Sequence, residues 1–246
     1  MLRFGCFQPF LDLRYGISTM QDGDMNIATG NPKRDSLGTQ NRKKFFVKEG
    51  ITGAIFLPRF VHGNTVRVVN VQNRNEIVEA DAATTREQDI YLTVTVGDCF
   101  PVYCYDPETG TIGLAHAGWK GIIRGVLTNT IQTMAKQFFS RPENIRIGIG
   151  PGICKRHYTI LLEHFGYFRG YEHFIEKRRE QYFADLEGMI GLQARSAGAR
   201  LIESSGQCAY CLNTTYFSHR RERRQIPRVM LAYIMLRGNG TKSEEI

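Results

Sequence analysis

The strongest pattern along the chain is a series of short apolar, β-branched runs separated by turns broken by glycine. Residues 90–96 (IYLTVTV) predict a strand; Gly97-Asp98-Cys99 interrupts it, and after Pro101 residues 102–105 extend again. Residues 111–115 and 145–150 predict two further strands, 201–203 a short one and 229–236 a final buried one. Residues 55–71 read as two extended pieces around His62-Gly63-Asn64, because Val66, Val68, Val69 and Val71 have strand character and Gly-Asn is a turn signal. His62 therefore belongs to a bend and Cys99 to a strand end.

Elsewhere the period changes to that of a helix. Ile123, Leu127, Ile131, Met134 and Phe138 follow one another at helical spacing and mark one apolar face. They predict a helix running from the glycine passage 118–121 to about Phe139, packed on a sheet. Residues 183 to 197 predict a second helix. Residues 30–44 are charged and aperiodic and read as a long loop, while 238–246 read as a frayed tail. Strands and helices mix throughout, so the expected class is α/β or α+β: a single compact layered domain over residues 1–246, with a mixed sheet and flanking helices.

Composition narrows the partners. With 42% hydrophobic and 23% charged residues in 246, the chain lies far from the disordered regime. The net charge is +8, and much of the positive charge falls in two short clusters, residues 42–44 and 220–228, read as solvated faces. Neither has the basic stripe interleaved with aromatics that a polynucleotide needs, so no nucleic-acid partner is expected; a small phosphate-bearing ligand fits. Six cysteines make no disulfide-dense pattern, the N-terminus lacks the features of a secretory signal, and no apolar run reaches the ~18 residues of a membrane helix. The expectation is a cytoplasmic protein with reduced thiols and no membrane partner. Oligomeric state leaves no mark on the sequence.

Three residues with chemistry fall at strand ends or turns: His62 in FVHGNTV, Cys99 in TVGDCFPV and His116 in GLAHAGWKG. Two imidazoles and a thiolate form a zinc ligand set that leaves the fourth tetrahedral position open. Alternatively Cys99 is a nucleophile with His116 as its base, or the thiol is simply buried and the imidazoles hydrogen-bonded. Asp98 would either orient a ligating histidine or cap its turn. The turn at 118–121 offers backbone N–H groups for an anion, with Lys120 as a point charge; otherwise its glycines serve close packing and Lys120 is solvated. Cys208-x-x-Cys211 is half of a zinc-ribbon signature with no second pair at suitable spacing, since Cys6, Cys104 and Cys154 are scattered, and is read as structural.

The segments VHGNTV, ADAATT, TVGDCFPVYCYDP, GLAHAGWKG, IGPGICKRHY and CAYC…FSHRRE, in that order, resemble the laccase-domain family of zinc-binding purine nucleoside phosphorylases, formerly called multicopper polyphenol oxidoreductases. The resemblance covers roughly residues 14 to 236. It implies a layered α/β/α fold and one zinc ion on His62, Cys99 and His116. It also implies phosphate-dependent cleavage of adenosine, inosine or guanosine, with adenosine deamination and methylthioadenosine cleavage in some members. His157 and Tyr158 match a segment near the family's substrate pocket, where Tyr158 would stack on the purine; Arg220 and Arg221 match an Arg-Arg segment that would bind phosphate or a carboxylate. The chain departs from the pattern at Phe60, where a Gln commonly precedes Val-His-Gly, and at Gly97, usually Ala. The N-terminal loop before Asn26 is also short, and the loop near residues 224–228 lacks the expected glycines. Six histidines are too few for a multicopper centre, which leaves a lone copper in the His₂Cys set and phenol oxidation as a side activity at most. A Cys-His hydrolase using Cys99 and a non-catalytic metal- or phosphate-binding module are the competing classes.

Overall fold

The computed structural model describes residues 2–238, so the tail expected at 238–246 lies outside the described residues except for Gly238. The N-terminal half runs β1 (Leu13–Ile17), α1 (Pro32–Lys48), β2 (Ala54–Phe56), β3 (Val66–Val68), β4 (Ala82–Thr85), β5 (Ile90–Val96), β6 (Phe100–Asp106) and β7 (Thr111–Ala117). There follow α2 (Trp119–Ile123), α3 (Val126–Phe138), β8 (Arg146–Ile149), β9 (Thr159–Ile160), β10 (Ile175–Arg178) and β11 (Gln181–Ala184). The chain closes with α4 (Leu186–Ser196), β12 (Leu201–Ser204), α5 (His219–Glu222) and β13 (Met230–Leu236). Among the described residues no helix is long and apolar enough to cross a membrane.

The class is mixed α/β as expected, but the strands divide among three sheets. One has the order β1-β13-β5-β2, a second β12-β8-β6-β7-β4-β3, and a small third β10-β11-β9. Every residue of β6, β7 and β13 is buried, which explains their near-continuous apolar runs. The alternation of β6 decides which layer each residue joins. Tyr103 and Tyr105 pack with Leu92, Ile234 and Phe56 between the first two sheets. Val102 and Cys104 face the other way, onto Leu127, Ile131 and Met134 of α3 and Met189 and Ile190 of α4. On the outside of the first sheet, Phe45 of α1 packs against Tyr91, Leu231 and Tyr233.

Three sequence expectations change. Residues 30–44 are not a loop: most of them fall in α1, whose start is fixed by Asn31 accepting from the N–H groups of Lys33 and Arg34 with Pro32 at the first helical position. The helix buries little besides Gly38, Arg42 and Phe45. Arg42, one of the supposed solvated charges, is buried and donates from Nε to the Met25 carbonyl at 2.8 Å. The helix expected from the glycine passage to Phe139 breaks at Arg124-Gly125, where Gly125 takes φ +79° and lets α3 start in a new direction. The second helix starts later than 183, because Phe183 and Ala184 still belong to β11 and Asp185 caps α4 by accepting from the Gly188 N–H.

Candidate active site

The route from β5 to β6 changes sheets. Gly97, Asp98 and Cys99 make the corner, and Asp98 adopts φ +83° to turn it. Gly97 lets the chain at residue 228 pass close by, since a Cβ there would lie 2.9 Å from the Arg228 carbonyl. His116 sits one residue before the end of β7, paired with Pro101 of β6, so the β6–β7 hairpin brings it beside Cys99. His62, at φ +54° in the bend between β2 and β3, completes the group. One donor atom from each of His62, Cys99 and His116 falls within 4.8 Å of the others. The two imidazoles meet edge to face with centroids 4.9 Å apart, and Phe60 packs its ring 4.9 Å from that of His116.

One carboxylate holds the side chain of His116 and the backbone of His62. Asp81, fully buried just before β4, accepts through Oδ1 from the His62 N–H at 3.0 Å and stands 3.0 Å from His116 Nδ1. Through Oδ2 it accepts from the N–H groups of Gly63 at 2.6 Å and Val61 at 3.3 Å. The Nδ1 proton of His116 therefore points at Asp81 and leaves Nε2 for the cluster, the arrangement by which a carboxylate orients a metal-ligating histidine. Burial alone would raise the Asp81 carboxyl, but His116 and the surrounding N–H groups hold it below the ordinary carboxylate range. ADAATT supplies this residue, yet nothing in that segment announces the role; only the pairing of β4 with β7 reveals it.

The electrostatics suit a cation. Burial would push the Cys99 thiol up, but His116 and His62 beside it bring it down toward the thiolate. Burial would likewise lower His116, and the Cys99 sulfur and Asp81 reverse that. A thiolate and two imidazoles converging at this spacing fit zinc with one position open, and would also take copper. Gly118, immediately after β7, makes room: a Cβ there would stand 2.9 Å from Cys99 Sγ and 3.0 Å from His62 Cδ2.

The other sequence candidates distribute unevenly. Asp98 orients no histidine; its Oδ2 accepts from the Arg220 N–H at 2.6 Å at the start of α5. Tyr158 is close enough that Cys99 adds to the burial that pushes its hydroxyl above the ordinary range. The Arg220 guanidinium lies over the Tyr158 ring at 5.1 Å and donates to the Thr159 hydroxyl and carbonyl. Arg221 donates to the carbonyls of Ala209, Tyr210 and Tyr216. Arg224 and Arg228 both reach Glu222, at 3.1 and 2.8 Å. The basic run 220–228 is thus divided: Arg220, Arg221 and Arg228 are partly buried and bonded within the fold, whereas Arg223 and Arg224 are exposed as a solvated face would have them. Lys120 is exposed beside Trp119 on α2, a helix of only five residues, so little macrodipole reinforces the N–H groups there. The isolated reading of Cys208-x-x-Cys211 is also corrected, because Cys154 and His157 come to lie against it.

An α/β frame with a His₂Cys cluster at a sheet corner defines the class, and comparison with known proteins defines the family. Residues 9–237 match the family described as multi-copper polyphenol oxidoreductase laccase, and the chain belongs to it. A relative from Deinococcus radiodurans named purine nucleoside phosphorylase is 32% identical over 186 residues, 75% of this chain and 71% of its own. Purine nucleoside phosphorylase YfiH of Escherichia coli is 28% identical over 75% of each chain. The crystal structure of YlmD from Geobacillus stearothermophilus superposes with a TM-score of 0.86 at 26% identity, covering 94% of both chains.

Proposed function

We propose that this chain is a zinc-dependent purine nucleoside phosphorylase, acting on adenosine, inosine or guanosine with inorganic phosphate. The observation that carries the reading is the open His62–Cys99–His116 set held by Asp81; the names of the relatives point the same way. In this reaction the bond from the ribose carbon to the purine nitrogen breaks, a bond to a phosphate oxygen forms, and the base leaves with a proton. The site must seat an anion and assist the leaving purine. Zinc bound there would supply Lewis-acid stabilisation of negative charge.

The chain's residues divide the remaining work. His116 is kept in one tautomer by Asp81, and His62 is held in its bend by the same carboxylate. Tyr158 keeps its proton at Oη near neutral pH, so it offers a donor together with a ring face for the purine. Arg220 lies over one face of that ring and brings positive charge beside it. Lys120 and the N–H groups after Gly118 form the phosphate side. Methylthioadenosine cleavage and adenosine deamination belong to the same proposal as side reactions of this pocket, and cytoplasmic conditions would keep Cys99 reduced.

One observation favours a second reading: the depressed Cys99 thiol beside His116 is also the signature of a Cys-His hydrolase. Phosphate dependence separates them. Purified enzyme given adenosine, inosine and guanosine should release base only with phosphate and form ribose 1-phosphate. Equal release without phosphate, yielding free ribose, refutes the phosphorylase. His62→Ala should remove the zinc of this centre and activity together, whereas a Cys99–His116 dyad would survive it.

A further inference from the structure

Outside this site the molecule gathers a second set of donors from two segments far apart in sequence. Cys154-x-x-His157 follows β8, and Cys208-x-x-Cys211 follows β12. An isolated parallel bridge joins Gly152 to Cys208, with Gly152 N–H donating to Gln207 at 3.3 Å and Ala209 N–H to Gly152 at 2.8 Å. Each pair occupies a tight turn: the His157 N–H bonds the Cys154 carbonyl and the Leu212 N–H the Cys208 carbonyl, both at 2.9 Å. The four donor atoms lie within 4.8 Å of one another, and all three cysteines are free of disulfides.

We propose that Cys154, His157, Cys208 and Cys211 form a closed structural zinc site, separate from the His62–Cys99–His116 centre. His157 Nδ1 lies 3.3 Å from Cys154 Sγ and 3.5 Å from Cys211 Sγ. With Zn–S near 2.3 Å and Zn–N near 2.0 Å, a tetrahedral site has S···N edges of about 3.5 Å. The ring plane is fixed by Tyr210, stacked on His157 at 4.1 Å and 14°, and the Cys154 N–H donates to Cys208 Sγ at 3.3 Å, the kind of outer contact that supports a thiolate ligand. Four protein donors leave no position for substrate, so the role is structural. The site clamps the segment carrying Tyr158 and Thr159 to the one whose Ala209 and Tyr210 carbonyls receive Arg221.

Metal stoichiometry tests this independently of catalysis. Protein purified without chelator should carry two zinc ions per chain by mass spectrometry of the metal. His116→Ala should keep one, and Cys211→Ser, a substitution at an exposed position, should also lose one and melt at a lower temperature. Cobalt-substituted His116→Ala protein supplies a readout that does not depend on the serine variant folding. Its spectrum should show tetrahedral cobalt with thiolate charge-transfer bands. One zinc per chain in the wild type with none in His116→Ala overturns the proposal. An octahedral cobalt spectrum, or an intact mass showing a disulfide among the three cysteines after reducing purification, overturns it equally.

Discussion

Asp81→Asn isolates the group on which the candidate active site rests. The amide has the size of the carboxylate but only one acceptor oxygen. Kept toward His116 and the His62 N–H, it turns its NH₂ on the donors of Gly63 and Val61; flipped, it abandons His62 and His116 instead. Either way two donors lose their acceptor, one of them buried: Gly63 N–H in the first case, His116 Nδ1 in the second. At about 1–3 kcal/mol for the buried one, with little added by the part-exposed partner, the variant should be destabilised by about 1–3 kcal/mol. The loss should appear in the site as well as in the fold, because the same oxygens fix the His62 bend and the His116 tautomer. Metal affinity and phosphate-dependent base release should each fall about 10–100-fold, the usual consequence of removing the carboxylate behind a ligating histidine. Equilibrium competition with a chelator, urea unfolding and turnover at saturating zinc measure the three quantities on one preparation. Loss of stability with metal affinity and turnover within twofold of wild type would show that Asp81 serves the loop alone, and the account of its orienting role would fail.

Gly118→Ala should be a cleaner lesion: its φ of −80° suits alanine, so the damage comes only from the methyl meeting Cys99 and His62, and loss of the zinc at this centre alone with near-normal urea stability is expected. Unchanged zinc content in that variant would mean the cluster has room that its geometry denies. Asp22 accepts from Thr19 and pairs with Lys48 at 2.7 Å; burial opposes ionisation, but Lys48 and Thr19 win and its carboxyl lies below the ordinary 3.8. A depressed carboxyl contributes stability above its unfolded pKa and loses it as pH falls through the folded one. Wild type should therefore exceed Asp22→Asn by about 1 kcal/mol near neutrality, the gap closing below about pH 4, and a gap independent of pH refutes the pairing. Asn31→Ala should cost about 1 kcal/mol in denaturant unfolding by uncapping α1, with turnover intact; no measurable cost would mean that packing alone holds that helix.

What could be read from the residues followed from how each element is stabilised. β5 to β8 and β13 announce themselves because they are buried on both faces and therefore apolar along their length. Cys99 and His62 stood out because glycines mark their turns. α1 was invisible to periodicity because capping by Asn31 and a buried Arg42 side chain, rather than an apolar stripe, hold it. The break at Gly125 was hidden by an apolar face that continues across it. Asp81 could be assigned only through the β4–β7 register, and Cys154 with His157 only through the Gly152–Cys208 bridge, since no local pattern joins segments 35 or 54 residues apart.

The corner that carries Cys99 also has a bearing on the order of assembly. β5 leads into that corner and pairs with β13, Met230 lying opposite Val96, while Asp98 in the corner receives the Arg220 N–H. His62 and His116 depend on pairings made within the first half of the chain, but Cys99 is braced by β13 and α5. During synthesis, a ribosome-bound chain ending before residue 230 could form the β6–β7 hairpin and still lack the brace that sets the sulfur. Such long-range closure is slow relative to local pairing. Metal capture at this centre should thus be a late event, and a metal bound here a marker that β13 has taken its place beside β5.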